Sequence, residues 1–180
     1  MAIDFSQHHC ESEEVYHAKL DIFGLSKADI GELMSLARTN ERAKVRFCTH
    51  HSRSDEVHQM FIVHPADIYV RPHKHIGKSE SMLVIEGIAD YITFDEYGKV
   101  KDVVQMGDYV SGNTFYHTVG PEVFHTLRIR SDWFVFLEVT KGPFIESDTI
   151  FGEWSPDGTD LLVSNQYIQT LCCCTLNKQD

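Results

Sequence analysis

One stretch of the chain has the residue types and the spacing of a metal site: "PHKHIGKSESMLVIEG", residues 72–87. Successive side chains of a β-strand point to opposite faces, so His73 and His75 would share a face. Glu80 follows at the start of an apolar strand, where a buried carboxylate is costly unless a cation neutralises it. A divalent metal would do so, and Gly87 then permits a sharp turn into the next strand. The pattern predicts that His73, His75 and Glu80 are metal ligands.

A fourth ligand is expected from a later strand. His125, in "GPEVFHTLRIR", alternates with apolar residues that would face inward, and barrel closure can bring its strand beside the first. His117, in "TFYHTVG", is the competing candidate, although its neighbours alternate less clearly. Three imidazoles and one carboxylate suit Fe(II), Zn(II), Mn(II), Ni(II) or Co(II) and leave one or two positions open for water or substrate.

The elements that would position these side chains are β-strands. From Ala43 onward the chain has short runs rich in Val, Ile, Phe, Tyr and Thr, broken by turn residues. The runs are "AKVRFC", "VHQMFIV", "DIYVRP", "ESMLVIEG", "IADYITFD", "KVKDVVQM", "VFHTLRIR" and "WFVFLEVT". "DEYG" predicts a hairpin turn, and "SD" at 131–132 predicts a tight turn between two strands that pair antiparallel. Eight or so strands that close on themselves make a barrel or jelly roll.

The segments on either side of these strands are less regular. Ser26 and Asp29 form a capping-box-like pattern before apolar residues at helical spacing, which predicts a short helix at about 27–39. We expect an N-terminal extension at 1–42, a barrel at 43–156 and a C-terminal extension at 157–180. The run Cys172-Cys173-Cys174 is interpreted as small apolar residues on a strand or tail, with lipid attachment or metal binding as alternatives.

Composition limits the functional classes. At 180 residues with 42% hydrophobic content, the chain suits one domain with a sizeable core. No apolar run reaches the roughly 20 residues that span a bilayer. The five cysteines have no CxxC spacing, so we expect a cytoplasmic protein. The net charge of -11 argues against nucleic-acid and anionic-membrane partners. The stretch 38–78 is locally basic, which suits either a phosphate or carboxylate ligand or a solvated surface.

The metal stretch resembles the first motif of the cupin superfamily. Its two histidines, its glutamate and Gly87 are in place, whereas Asp67 stands where the superfamily has a leading glycine. The second motif is looser, because "GPEVFH" keeps the proline but shifts the glycine spacing. A narrower resemblance, to the WbuC family of cupin-fold metalloproteins, covers about 43–156. It rests on "VRFCTHH", "VHQMFI", "YVRPHKH", "ITFDEYGKV", "VFHTLRI", "FLEVTKGPF" and "FGEWSP".

These resemblances imply a mainly β fold, the cupin-type double-stranded β-helix or jelly-roll barrel, that binds a divalent metal ion. The WbuC family is often associated with surface-polysaccharide biosynthesis, and its reaction is not settled. By the same resemblance, Arg46, His50 and Gln59 would lie near the metal cavity and serve catalysis.

The function that we expect is a metal-dependent enzyme acting on a sugar or another small anionic metabolite. The metal would polarise a carbonyl or hydroxyl while a neighbouring side chain moves the proton. His50 is the candidate base, and Arg46 or Arg71 would hold a phosphate or carboxylate. An Fe(II)-dependent dioxygenase and a non-catalytic metal- or ligand-binding module stay open as alternatives. Because a second subunit commonly covers exposed strand edges, we also expect a homodimer.

Overall fold

Two β-sheets form the body of the protein in a computed structural model that describes residues 3–22 and 24–171. The seven-stranded sheet contains, in pairing order, β1 (His9–Ser12), β2 (Val15–His17), β3 (Val45–Cys48), β4 (Val57–Pro65), β11 (Trp133–Lys141), β6 (Glu80–Glu86) and β9 (Tyr116–Val119). The five-stranded sheet contains β12 (Thr149–Phe151), β5 (His73–His75), β10 (Phe124–Ile129), β7 (Ile88–Phe94) and β8 (Val100–Gly107). Apart from the parallel pair β2–β3, neighbouring strands in these sheets pair antiparallel, and the whole is the predicted jelly roll.

The main core lies between the inner faces of the two sheets. Met82 and Phe136 of the first sheet pack with Tyr91, Leu127 and their apolar neighbours of the second. This follows from the alternation of each strand, which directs every second side chain inward. Each fully buried large apolar side chain contributes on the order of 1.5–3 kcal/mol.

A helix covers the outer face of each sheet. The predicted N-terminal helix is present as α1 (Lys27–Thr39), which buries Leu33 against the outer face of the seven-stranded sheet. The capping pattern is also present, because the Asp29 carboxylate accepts hydrogen bonds of 2.6 Å from the backbone N–H and the hydroxyl of Ser26. α2 (Leu161–Thr170), which the sequence patterns do not predict, packs on the outer face of the five-stranded sheet.

Two of the expected strand features are wrong. Residues 67–72 are not a strand, and Pro72 at their end cannot donate to a ladder. The turn at 131–132 joins β10 to β11, but these strands lie in different sheets. β10 is already paired on both edges, with β5 and β7, so β11 pairs instead with β4 and β6. The turn is therefore a corner between sheets, whereas "DEYG" makes the predicted hairpin between β7 and β8.

Strands also form where the pattern gives little signal. β1 and β2 precede α1, and β2 joins the seven-stranded sheet by pairing with β3. The short strands β9 and β12 add an edge to each sheet. The Cys172-Cys173-Cys174 run lies outside the described residues. None of the helices in the described ranges has the length and apolar character needed to cross a bilayer.

Candidate metal centre

Three histidine side chains converge on the inner face of the five-stranded sheet. β5 and β10 pair antiparallel with His125 directly opposite His73, and His75 lies on the same face two residues further along. One ring nitrogen of each histidine lies within 4.8 Å of the others. Strand pairing across the closed jelly roll therefore builds the cluster from segments about fifty residues apart in the chain.

Glu80, the first residue of β6, reaches this group from the seven-stranded sheet. Its Oε1 lies 2.9 Å from Nε2 of His75, and its Oε2 lies 3.2 Å from Nε2 of His125. Burial raises the pKa of Glu80, but the hydrogen bonds from His125 and His75 outweigh it and the net effect lowers that pKa. We call His73, His75, Glu80 and His125 the histidine–glutamate cluster.

The other ring nitrogen of each histidine is held by a hydrogen-bond acceptor. Nδ1 of His73 lies 2.8 Å from the carbonyl oxygen of Arg71, and Nδ1 of His125 lies 2.9 Å from that of Val123. Nδ1 of His75 lies 3.1 Å from Oγ1 of Thr149, on β12. A proton on each Nδ1 leaves the Nε2 lone pair free, which is the tautomer that a metal-ligating histidine requires.

The donor set fits a divalent metal ion. The Nε2 atoms of His75 and His125 lie at hydrogen-bond distance from the carboxylate of Glu80. Two electron-rich atoms this close need a positive charge between them, either a proton or a metal ion. Burial, and next the neighbouring His125, lower the pKa of His73 to about 3, so this imidazole is neutral near pH 7 and able to coordinate. Three nitrogens and one carboxylate suit the later first-row metals, and a five- or six-coordinate ion would keep a position open.

A small cavity lies beside Glu80 on the inner side of the barrel. Its lining includes Tyr91, His117 and Glu138, and its free volume of about 10 Å³ matches roughly one water molecule. The Tyr91 ring stacks on His125 at 5.4 Å between centroids. Burial, and next the negative charge of Glu80, raise the pKa of Glu138 to about 8, so this carboxyl is largely protonated at neutral pH.

The structure places His125, rather than His117, with the other two histidines. His117 lies on β9 opposite Met82, and its ring is 4.5 Å from the Tyr91 ring, which in turn stacks on His125. Its ring nitrogens do not belong to a metal-sized group among the residues that the structure describes. His117 is therefore a neighbour of the histidine–glutamate cluster and lines its cavity.

One of the two arginines considered for anion binding, Arg71, packs on an aromatic ring that lies near the cluster. Its guanidinium carbon is 4.9 Å from the centre of the Phe151 ring, which is itself 6.2 Å from the His73 ring. The buried Nε of Arg71 has no hydrogen-bond partner in the described part of the chain. Arg46, on β3, is exposed and lies opposite Ile62 on the inner face, three strands away from β6.

The structure does not bring His50 and Gln59 to the cluster. Gln59 is exposed on β4 between two inward-facing residues, and its side-chain oxygen accepts a hydrogen bond of 3.2 Å from Thr49. Its side chain therefore points away from the cavity because strand faces alternate. His50 follows β3, and its ring stacks on that of His58, with 4.0 Å between centroids. It groups with His17 and Cys48 and not with the histidines of β5 and β10.

Two residues that shape the site escaped the sequence patterns. Glu138 lies on the inner face of β11, in register with Met82. The run "WFVFLEVT" carries the signal, since a carboxylate alternates there with inward-facing phenylalanines, just as Glu80 begins an inward-facing row. Thr149 has no comparable signal, because only the pairing of β12 with β5 places it opposite His75.

Comparison with known proteins agrees with the fold. A family model described as a domain of unknown function, DUF6016, matches residues 25–106, which is less than half of the chain. No curated protein matches. The structure of protein SO0799 from Shewanella oneidensis is similar with a TM-score of 0.54 and 12% identity, over 82% of this chain and 96% of that one.

Other similar structures share smaller parts. Oxalate decarboxylase OxdC from Bacillus subtilis has a TM-score of 0.44 and 20% identity over 54% of this chain and 24% of its own. The capsular polysaccharide assembling protein CapF from Staphylococcus aureus has a TM-score of 0.48 and 15% identity over 63% of this chain and 32% of its own. This chain thus spans only a quarter to a third of those two proteins. The protein has a cupin fold, with its inward-facing histidines where β5 and β10 meet.

Proposed function

We propose that this protein is a divalent-metal-dependent cupin enzyme that acts on a small anionic molecule. The observation that carries the proposal is the histidine–glutamate cluster, in which side chains from both sheets aim at one point and each histidine is held by its other nitrogen. Such anchoring is a feature of metal-ligating histidines. The bound ion would polarise a substrate oxygen.

The chain offers its own groups for binding and for proton transfer. We propose that Arg71, whose Nε has no hydrogen-bond partner among the described residues, holds the anionic group of the substrate. We also propose that Glu138 donates or accepts a proton, because it lines the same cavity as Glu80. In this proposal Arg71 and Glu138 serve binding and proton transfer in place of His50 and Gln59, which the family resemblance placed near the metal cavity.

The size of the cavity bears on the substrate. A space for about one water molecule beside Glu80 cannot hold a sugar, so a larger substrate would lie on the Arg71 and Phe151 side. The resemblance to the WbuC family supports a substrate from surface-polysaccharide biosynthesis. The same small cavity favours the second candidate, a module that binds a metal ion and a small ligand without catalysis.

Elemental analysis tests the proposal. His125→Ala, purified like the wild type without a metal-affinity tag, should contain about one equivalent of metal less than the wild type. His117→Ala is the matched control and should keep its metal, since its ring nitrogens lie outside the cluster. A wild type without metal, or His125→Ala with undiminished metal, would refute the ligand set. Iron as the main metal, together with oxygen consumption, would favour the dioxygenase alternative.

We further propose that the protein forms a homodimer. β9 is an edge strand of the seven-stranded sheet, and the exposed aromatic residues Tyr109, Phe115 and Tyr116 lie at or beside it. An open edge with apolar neighbours favours pairing with a second copy. Gel filtration at micromolar concentration should give the dimer mass, and a monomer mass there would argue against it.

A further inference from the structure

A second group of possible metal ligands lies on the inner face of the seven-stranded sheet, away from the histidine–glutamate cluster. His17 on β2 and Cys48 on β3 are paired in register, so their side chains share a face. His50 follows two residues after Cys48, and its ring meets that of His17 edge-on at 5.5 Å between centroids. One ligand atom of each residue lies within 4.8 Å of the others. We call His17, Cys48 and His50 the thiol cluster.

All three side chains are removed from solvent. The exposed fractions of His17, Cys48 and His50 are 4%, 2% and 7%. Burial raises the pKa of the Cys48 thiol to about 12, and burial, followed by the charge of His58, lowers the pKa of His50 to about 4. A neutral thiol and a neutral imidazole are therefore held side by side near pH 7. The imidazole is already in the form that coordinates a cation, whereas the thiol becomes a ligand only when a metal displaces its proton.

Each histidine of the thiol cluster has a hydrogen-bond partner that fixes its orientation. Nε2 of His17 lies 2.8 Å from Oε2 of Glu11, and the Arg53 guanidinium binds the other oxygen of that carboxylate. Nδ1 of His50 lies 3.2 Å from both the carbonyl oxygen and the backbone nitrogen of Gln59. With protons on these two nitrogens, Nδ1 of His17 and Nε2 of His50 would be the ligand atoms, and Nδ1 of His17 also lies 3.4 Å from the carbonyl oxygen of His50.

The carboxylate–histidine pair is an arrangement that metal sites use. A carboxylate that accepts from one ring nitrogen sets the tautomer and raises the basicity of the other, which strengthens a metal bond. Glu11 is itself held by Arg53, so the orientation of His17 depends on two residues beyond the cluster.

We propose that His17, Cys48 and His50 form a second metal site, which takes a cation of the zinc class through one thiolate and two imidazoles. Binding forms a metal–sulfur bond, breaks the S–H bond and releases its proton to solvent, with no change in oxidation state. Thiolate and imidazole together select zinc-like ions over magnesium or calcium. A water would complete a tetrahedral sphere.

This site is separate from the histidine–glutamate cluster. β3 and β6 are separated by β4 and β11 in the seven-stranded sheet, a distance of about 14 Å at the usual spacing of strands. No side chain belongs to both groups. The two sites also differ in chemistry, because only the thiol cluster contains sulfur, and this difference makes them distinguishable by spectroscopy.

Cobalt(II) is the probe, because a thiolate bound to it gives a charge-transfer band in the near ultraviolet that nitrogen and oxygen ligands do not give. The parent variant carries His125→Ala, to weaken the first site, and Ser at Cys10 and at 172–174, so that Cys48 is the only thiol. The full-length parent should bind about one equivalent of cobalt and show the band. Adding Cys48→Ser should abolish the band.

Two further measurements distinguish loss of a metal ligand from misfolding of the variant. His17→Gln keeps the thiol and should lose most of the cobalt affinity, while circular dichroism reports whether the fold is kept. Restoring His125 in the Cys48→Ser variant should restore cobalt absorption without the sulfur band. Absence of the band from a folded parent, or its persistence after Cys48→Ser, would overturn the proposal. The sulfur band depends on Cys48 and not on His125. If the histidine–glutamate cluster turned out to bind no metal, the outcome of this cobalt test would therefore stay the same.

Discussion

Thr149 is the residue through which the proposed metal site can be perturbed without removing a ligand. Its Oγ1 lies 3.1 Å from Nδ1 of His75, whereas the corresponding partners of His73 and His125 are backbone carbonyls that substitution cannot delete. Thr149→Val removes the hydroxyl and keeps the β-branched shape that suits β12. His75 then loses the contact that fixes its tautomer and ring angle.

The magnitude follows from what that hydrogen bond does. Loss of one neutral hydrogen bond should lower the free energy of unfolding of the metal-free protein by only about 0.5–1.5 kcal/mol. Loss of the partner that orients a ligand should weaken metal binding about 10- to 100-fold, which is about 1.4–2.7 kcal/mol. The expected signature is therefore a weakened metal affinity in a variant whose secondary structure and unfolding remain close to those of the wild type.

Isothermal titration calorimetry with Zn(II) and with Mn(II) measures the effect on protein stripped of metal. The parent carries Cys48→Ser, so that binding at the thiol cluster does not contribute to the heats. Thr149→Ser is the matched control, because it keeps the hydroxyl and should bind within a few-fold of that parent. If Thr149→Val bound both ions as tightly as Thr149→Ser did, the orientation argument would be refuted.

Three further predictions concern stability. Gly87→Ala should lower the free energy of unfolding by more than about 2 kcal/mol, because φ is 93° and an added Cβ would collide with a backbone carbonyl of β11. Gly77→Ala is the control: φ is 64° but the space around it is open, so urea unfolding should show a loss of only about 1 kcal/mol. Burial lowers the pKa of His64 to about 3 from 6.5, so between pH 7 and pH 5 only the unfolded state takes up this proton. Stability should fall by about 2 kcal/mol more in the wild type than in His64→Leu, and equal falls would count against the assignment. Leu33→Ala should lower the free energy of unfolding by about 2–5 kcal/mol, because it leaves a cavity under α1. Glu32→Ala, at an exposed position of the same helix, should lower it by less than about 0.5 kcal/mol. Similar shifts of the unfolding midpoint in both variants would contradict this packing.

Local patterns predict the elements of this fold better than their pairing. Alternation along a strand indicates which side chains face inward, and a cap such as Ser26 with Asp29 indicates where a helix begins. The turn at 131–132 shows the limit, because a short polar turn looks the same whether it joins partners in one sheet or leads from β10 into the other sheet. Pairing depends on which edges are already occupied, and no local pattern contains that information.

The same limit applies to the candidate site. The spacing of His73, His75 and Glu80 places them on successive strands of the chain by local geometry alone, and the structure brings them together with His125. Thr149 reaches His75 only because β12 adds an edge to the five-stranded sheet. The residues expected from resemblance, His50 and Gln59, lie elsewhere because the orientation of β4 and the end of β3 depend on sheet register.

The placement of the histidine–glutamate cluster has a consequence for local opening of the protein. β5 is three residues long and lies between β10 and the edge strand β12, so its backbone hydrogen bonds alone give it little resistance to fraying. An ion held there would cross-link both sheets and, through Thr149, restrain β12. Ligation at a thousandfold excess over Kd would stabilise the native state by about 4 kcal/mol. Amide protons of β5 and β12 would then exchange with deuterium far more slowly in the loaded protein, so that metal occupancy sets the local lifetime of this end of the barrel.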